Sequence, residues 1–556
     1  MSEPFWARFR PKLVEALQTY TREDCIRDLT AGVTVGLVAL PLAMAFGIAS
    51  GVAPQAGLYT AIVGGFIAAL LGGSRLQVSG PTGAFVVIVA GIIHDHGLSG
   101  LLMVTMMAGV MLLVLGFTGL GTAVKFIPRP VVLGFTNGIA LLIASTQLKD
   151  FLGLDMASPS EFFERMWAIS GSLGTSNPVA LALGVMALTI IVLLPRWLPK
   201  VPGSIVALLA GTSAVALFHL PVATIGTAFG GIPSGLPEIS VPAFRADLIL
   251  PLLQPAFTVA VLAALESLLS AVVADSMTGD RHNSNAELVA QGVANIVVPL
   301  VGGIPVTGAI ARTATNIRAG ARTPVASVIH AITLLLVVLL LAPLAASIPL
   351  AVLAAVLFVV AWNMGEWREI PGILRLEGAD IAVWMITFAL TVMADLTIAV
   401  EAGLALAALL YIYRVTETTS VSVATPDYIA AGEVHSLQGK DVPLYVTILR
   451  IHGPFLFGTT DKLNDVAAAI ESFNPIVILR LRNMTAIDAT GLHALQRFSY
   501  QLRRSGRTLL VCGARHQPAK FLAQAAFVEE IGGENICPHV EAALARAREL
   551  APRLHG

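Results

Sequence analysis

Three stretches of this 556-residue chain, Leu101–Leu120, Pro178–Leu194 and Pro324–Leu341, contain no Asp, Glu, Lys or Arg. Each approaches the roughly 20 apolar residues needed to cross a bilayer. In lipid every backbone N–H and C=O must be satisfied within the protein, which restricts such runs to helices. Charged residues are 12% of the chain and hydrophobic ones 56%. A soluble domain carries about 25% charged residues, so a soluble enzyme with one large core is excluded. The formal net charge is -1 and no basic tract occurs, which gives no sign of a nucleic-acid partner. Cys25, Cys512 and Cys537 lie far apart, with neither metal-ligand spacing nor a disulfide framework, and read as unpaired thiols.

Apolar segments repeat as far as Arg414, and the composition then turns soluble. About 14 membrane segments are expected, at 29–50, 56–72, 77–95, 99–120, 129–148, 178–195, 201–220, 251–274, 285–301, 306–318, 324–343, 347–364, 379–395 and 397–414. Residues 1–28 read as a cytoplasmic amphipathic region at the membrane surface, with Trp6 and Phe9 among Arg8, Arg10, Lys12, Arg22 and Arg27. The transport domain is expected over 29–414, a linker over 415–440 and a cytoplasmic domain over 441–556. With the N-terminus inside, the cytoplasmic loops hold Arg75, Lys125, Arg129, Arg196, Lys200, Arg281, Arg318, Arg322, Arg368 and Arg375; the opposite loops hold Lys149, Arg165 and Arg245. That bias places both termini in the cytoplasm; the membrane is expected to be the cell's inner one.

Two of the segments are interrupted. One reads Gln77-Val-Ser-Gly-Pro-Thr-Gly-Ala84 and the other Gly302-Gly-Ile-Pro-Val-Thr-Gly-Ala-Ile-Ala-Arg312. Ile127-Pro128 before Val131-Val-Leu133 is echoed by Ile348-Pro349 before Val352-Leu353. A seven-segment repeat has an odd number of crossings, so its halves are inverted and the broken segments, third and tenth, point their helix N-termini at each other. Interrupted segments in corresponding halves mark a transport site, and uncapped helix N-termini bind anions. Gly80, Gly83 and Gly308 are expected to admit the substrate to the backbone, beside Ala309, with Ser79, Thr82 and Thr307 as hydroxyl donors. Arg312 is expected to grip the anion in bidentate fashion; the alternative is a structural ion pair. Glu266, in the middle of an apolar segment, is expected to carry a proton, or a cation together with Ser270. The alternative for Glu266 is a structural partner of Arg312.

After residue 441 strands alternate with helices: Pro443–Ile451, Pro475–Leu481 and Thr508–Cys512 as strands, with helices over 459–473, 491–502 and 517–526. That rhythm is a small α/β domain with a largely parallel sheet.

Leu40-Pro-Leu-Ala-Met-Ala45, Gly57-Leu-Tyr59, Ser74-Arg-Leu-Gln-Val-Ser-Gly-Pro-Thr82 and Ile487-Asp-Ala-Thr-Gly-Leu492 together resemble the sulfate permease (SulP) anion transporters, over nearly the whole chain. The resemblance implies two inverted seven-segment repeats, sorted into a core (segments 1–4 and 8–11) and a gate (5–7 and 12–14). It implies a homodimer with an elevator-like motion and a C-terminal STAS domain with a possible cytoplasmic protein partner. It places substrate at the two broken helices and Glu266, and links Arg312 to anion binding. Many animal members carry Gln where this chain has Leu42, which favours a carbon-bearing acid here. Bacterial bicarbonate members use sodium with Asp in the place of Glu266, and the longer Glu favours protons. Thr490 matches the phospho-acceptor of STAS regulators; the alternative is that it caps the helix after it. The expected activity is therefore proton-coupled uptake of C4-dicarboxylates such as succinate, fumarate or aspartate. The alternatives are a sulfate or sodium-coupled bicarbonate transporter, or an anion channel or sensor. No nucleophile with a paired base, metal spacing, cofactor motif or nucleotide loop points to an enzyme.

Overall fold

The computed structural model describes residues 9–119, 128–157, 159, 161–198, 201–232, 235, 237–240, 245–376, 378–394, 396–424, 441–525 and 527–554. Trp6, Arg8, Lys125, Lys200 and most of the expected linker, 425–440, lie outside them. Two compact units result, 1–407 and 408–556.

In the first unit α1 (Lys12–Leu17) precedes α2 (Arg22–Ala49). The first membrane helix thus begins at Arg22 rather than 29. Thr21 and Asp24 form a capping box that starts it there, and the buried Asp28 is satisfied by Arg322 N, Thr323 N and the Thr323 hydroxyl. There follow α3 (Pro54–Leu71), β1 (Ser79–Gly80), α4 (Ala84–Thr118), α5 (Arg129–Leu152), α6 (Phe162–Ser172), α7 (Pro178–Trp197) and α8 (Gly203–Phe218). The second half runs through α9 (Ile249–Thr278), α10 (Ser284–Val301), β2 (Thr307–Gly308), α11 (Ile310–Arg318), α12 (Val325–Ala345), α13 (Leu350–Met364), α14 (Gly378–Met393) and α15 (Leu396–Thr418). Among the described residues nine helices are long and apolar enough to cross a membrane. The two segments expected at 77–95 and 99–120 share α4, which breaks at Gly97, where φ is +68°. A left-handed residue there needs glycine, and the exposed His94 flanks the break.

Packing sorts the helices into two groups. α2, α3, α4, α9, α10, α11 and α12 pack on one another, and α5 packs on α13 and α14. Small residues set the closest crossings. A Cβ at Gly109 of α4 would lie 2.7 Å from the Gly292 carbonyl of α10, and one at Gly292 would lie 2.8 Å from that of Gly109. Gly134 and Gly138 of α5 meet Thr387 and Thr391 of α14 in the same way. Such close approach carries helix association in lipid, where apolar burial gives little driving force. Pro128 and Pro349 are both extended N-cap residues, starting α5 and α13 alike.

The second unit begins inside α15. Residues 415–418 are helical and Ser420–Val423 is β3, so the expected linker is structured at its start. β3 pairs antiparallel with β4 (Val446–Phe455), and β5 (Ile476–Ile487), β6 (Thr508–Cys512) and β7 (Ile536–Cys537) continue the sheet in parallel. Four residues of Ser-Val-Ser-Val are too few to announce a strand; the partner strand β4 makes it one. Leu449, Ile451, Leu479, Leu481 and Val511 line one buried face with Phe498. Ile448, Ile476, Ile478, Leu510 and Cys512 line the other, under Ala543, Leu544 and Ala547 of a last helix, Val540–Leu550. Two buried faces explain the near-continuous apolar strands.

Cys25 is exposed, whereas Cys512 and Cys537 are buried, and burial pushes the Cys512 thiol up to about 12. The thiolate is the reactive form. A maleimide is expected to modify one thiol of the native protein, at Cys25, and all three only after denaturation; rapid native labelling in the Cys25→Ser variant would contradict this packing.

Candidate functional site

Irregular backbone deep in a membrane needs side-chain partners, and here α10 supplies them from one polar stripe. Asn295 donates to Val306 O (2.8 Å) and accepts from Val306 N (3.0 Å), so its amide imitates a neighbouring strand. Gln291 donates to the Ser79 hydroxyl at 2.7 Å. Glu287 accepts from Gly73 N, Ser74 N and the Gln77 amide at 3.0, 3.1 and 2.9 Å. From α11 and α12, Thr313 accepts from Val78 N, Asn316 donates to Leu76 O and Ser327 donates to Gln77 O.

Held in this way, the two broken segments meet. β1 pairs antiparallel with β2, Ser79 opposite Gly308 and Gly80 opposite Thr307, and Ala309 N donates to Val78 O at 2.9 Å. Just beyond, α4 and α11 begin with no side-chain cap. Among the described residues Gly83 N and Ala84 N on one tip, and Ile310 N, Ala311 N and Arg312 N on the other, have no acceptor. Orphan N–H groups and partial positive charge therefore converge on one point.

Arg312 lies in the first turn of α11 and is buried. One guanidinium nitrogen, Nη2, donates to Pro81 O; Nη1 is buried with no partner. Glu266 accepts no hydrogen bond from Arg312 and forms no ion pair with it. Its Oε2 instead accepts from the Thr82 hydroxyl at 2.6 Å. Glu266 opens onto a cavity of about 70 Å³ whose lining is mostly apolar, with Ile310, Val131, Val132, Phe135 and Leu269, and whose other polar groups are Glu366, Thr136 and Thr387. The cavity thus lies where α9 and α11 of one group face the first turns of α5 in the other.

Two hydroxyls expected to serve a substrate, and one expected to hold a cation with Glu266, are already engaged. Ser79 accepts from Gln291, Thr307 bonds Ser267 at 2.8 Å and Ala263 O at 3.0 Å, and Ser270 bonds Thr313 at 3.0 Å rather than standing free beside Glu266. The glycines also differ from expectation. A Cβ at Gly80 would lie 3.2 Å from Arg312 Cζ, one at Gly308 would strike the Gln77 amide, and one at Gly83 would come within 3.0 Å of Met364 and Ile143. The space they leave is filled by protein: Gly80 lets the guanidinium lie on the β1 backbone. Of the expected site residues Glu266 lines the cavity, with Ile310 from the tip of α11; Thr82 joins it through the bond to Glu266, and Arg312 is buried. Sequence reading passed over Glu287, Gln291 and Asn295; their four-residue spacing within an apolar segment was the available signal. It also passed over His330 of α12, buried with neither ring nitrogen bonded.

In the second unit the N-cap of the helix Ala489–Arg504 is Asp488, whose carboxylate accepts from Gly491 N at 2.8 Å. Thr490 is exposed and does not cap that helix.

Residues 26–387 match the model of the Sulfate permease family and residues 439–543 that of the STAS domain. The chain is 43% identical over 523 residues to "Putative sulfate transporter YvdB" of Bacillus subtilis, covering 94% of this chain and 97% of that protein. It is 34% identical over 512 residues to "Bicarbonate transporter BicA" of Synechocystis, covering 89% of each. Among solved structures, "The overall structure of SLC26A9" superposes with a TM-score of 0.87 over 97% of this chain and 93% of that one, at 18% identity, and so shares the fold.

Proposed function

Because the chain belongs to the sulfate permease family of anion transporters, with a C-terminal STAS domain, we propose that it is a secondary active transporter binding its anion between the tips of α4 and α11. The observation that carries this is the buried, unpartnered Nη1 of Arg312 beside two uncapped helix N-termini. An unpartnered buried donor is costly, and an anion relieves it. We further propose C4-dicarboxylates as the substrate class: Val131, Val132, Phe135 and Leu269 make an apolar wall suited to a carbon chain. Glu266 carries the coupling proton, since a dianion enters beside it more easily once that carboxyl is neutral. The protein works as a homodimer in the inner membrane with both termini cytoplasmic. Thr490, exposed on the STAS unit, is the phospho-acceptor through which a cytoplasmic partner acts.

A second reading, sulfate or bicarbonate with sodium for the latter, draws on the names of the relatives. The full-length protein in liposomes, with acid outside and labelled succinate, separates the two. Succinate is expected to accumulate above an ionophore control. Competition by fumarate but not sulfate supports the dicarboxylate; competition by sulfate or bicarbonate alone overturns it. In Glu266→Gln, uptake is expected to lose its dependence on the proton gradient, and a wild-type gradient dependence would remove Glu266 from coupling.

A further inference from the structure

A cavity of about 390 Å³ opens at the cytoplasmic end of the first helix group. Its charged lining is Asp24 in the first turn of α2, Arg75 in the turn before β1, Asp280 just after α9 and Arg322 just before α12. Among the described residues neither guanidinium has a hydrogen-bond or ion-pair partner. Asp24 accepts from Thr21 through Oδ2 alone, and Asp280 accepts from Arg281 N through Oδ1 alone, so each carboxylate keeps one oxygen free. Two positive and two negative side chains thus surround one space with no close ion pair among them, although both guanidiniums act on Asp24 across it. An anionic guest would face two carboxylates, and a cationic guest two guanidiniums. A guest carrying both charges complements all four.

We infer that this cavity is a binding site for the headgroup of an ethanolamine phospholipid, its phosphate between Arg75 and Arg322 and its ammonium between Asp24 and Asp280. Arginine matches phosphate oxygens in bidentate geometry. A primary ammonium donates three N–H bonds to carboxylates, which a quaternary choline does not. The depth is that of a headgroup, since the lining comes from the first turn of one membrane helix and the last residue of another, Thr278. The site is formed wholly by the first helix group and the residues leading into it, so a lipid held there moves with that group.

The test uses the full-length protein, stripped of lipid in detergent and reconstituted in nanodiscs of phosphatidylethanolamine, phosphatidylcholine and phosphatidylglycerol. Lipid retained on extraction is read by native mass spectrometry. The wild type is expected to retain the ethanolamine lipid at least tenfold over the other two. Arg75→Gln with Arg322→Gln, and separately Asp280→Asn, are each expected to cut that preference fivefold or more with an unchanged melting midpoint. Equal retention of phosphatidylglycerol, or loss with the arginine variants alone, overturns the zwitterion in favour of a plain anion site. Full displacement by millimolar glycerophosphoethanolamine overturns the lipid in favour of a soluble ligand. A preference unchanged in all variants overturns the site.

Discussion

Arg312→Gln is expected to lower anion uptake by two orders of magnitude or more while the protein stays folded. The two halves of that outcome have separate causes. A buried, hydrogen-bonded charge pair loses about 2–5 kcal/mol when one partner is truncated, and about 1.4 kcal/mol is a tenfold change in affinity. The bound anion is the only proposed partner of Nη1, so that loss falls on binding. Folding has little to lose. The guanidinium contributes one bond, to Pro81 O, and no ion pair within the protein; a Gln amide keeps a donor on the same side. The buried charge itself opposes folding, so its removal leaves the melting midpoint unchanged or higher. Uptake in proteoliposomes and a fluorescence size-exclusion melt, run on the same preparation, separate the two. Wild-type uptake would place the anion elsewhere, and an aggregated variant would mean that Arg312 holds the helices together. Gly80→Val provides the complementary case: its side chain would displace the guanidinium from the β1 backbone, and uptake should fall with Arg312 intact.

The segments were legible in the sequence because hydropathy is a local signal. Lipid demands a helix wherever about 20 apolar residues run together, and the positions of α5, α7, α12 and α13 follow from that alone. The meeting of Val78–Gly80 with Val306–Gly308 was legible from repetition, since inverted copies of an interrupted segment meet at the axis between them. What stayed hidden depends on rotation about a helix axis. Ser79, Thr307 and Ser270 sit at the site in sequence, yet a turn of α10 or α9 decides whether each hydroxyl faces the cavity or a neighbouring helix. Gly80 and Gly308 read as openings for substrate, and only the three-dimensional path of Arg312 and Gln77 shows those openings filled. Polar residues 22–28 look extramembranous, which puts the start of α2 seven residues late; the Thr21–Asp24 capping box is local, but the buried Asp28 is satisfied only by partners nearly 300 positions away. Ser420–Val423 went unseen for the same reason, being a strand only by virtue of β4.

Glu287 makes the strongest claim about what holds the site open. Its carboxylate accepts four hydrogen bonds, from Gly73 N, Ser74 N, Gln77 Nε2 and Gln291 Nε2, at 3.0, 3.1, 2.9 and 3.0 Å. Glu287→Ala strands all four donors in a buried place, at about 1–3 kcal/mol each. The total is comparable to the roughly 5–15 kcal/mol by which a folded protein is stable at all. The damage also has a direction. Gly73 to Gln77 lead directly into β1, so their release frees the segment that aligns the tip of α4 with that of α11. Glu287→Ala is therefore expected to abolish a monodisperse peak at 37 °C. Glu287→Gln, with one carbonyl oxygen left to accept and an amide nitrogen turned toward a donor, should survive with a midpoint at least 10 °C lower and with weakened anion binding, although Glu287 touches no substrate. A Glu287→Ala protein that melts like the wild type would mean that water replaces the carboxylate in this network. The broken segments would then owe their pairing to the β1–β2 bonds and to Gln291, Asn295, Thr313, Asn316 and Ser327.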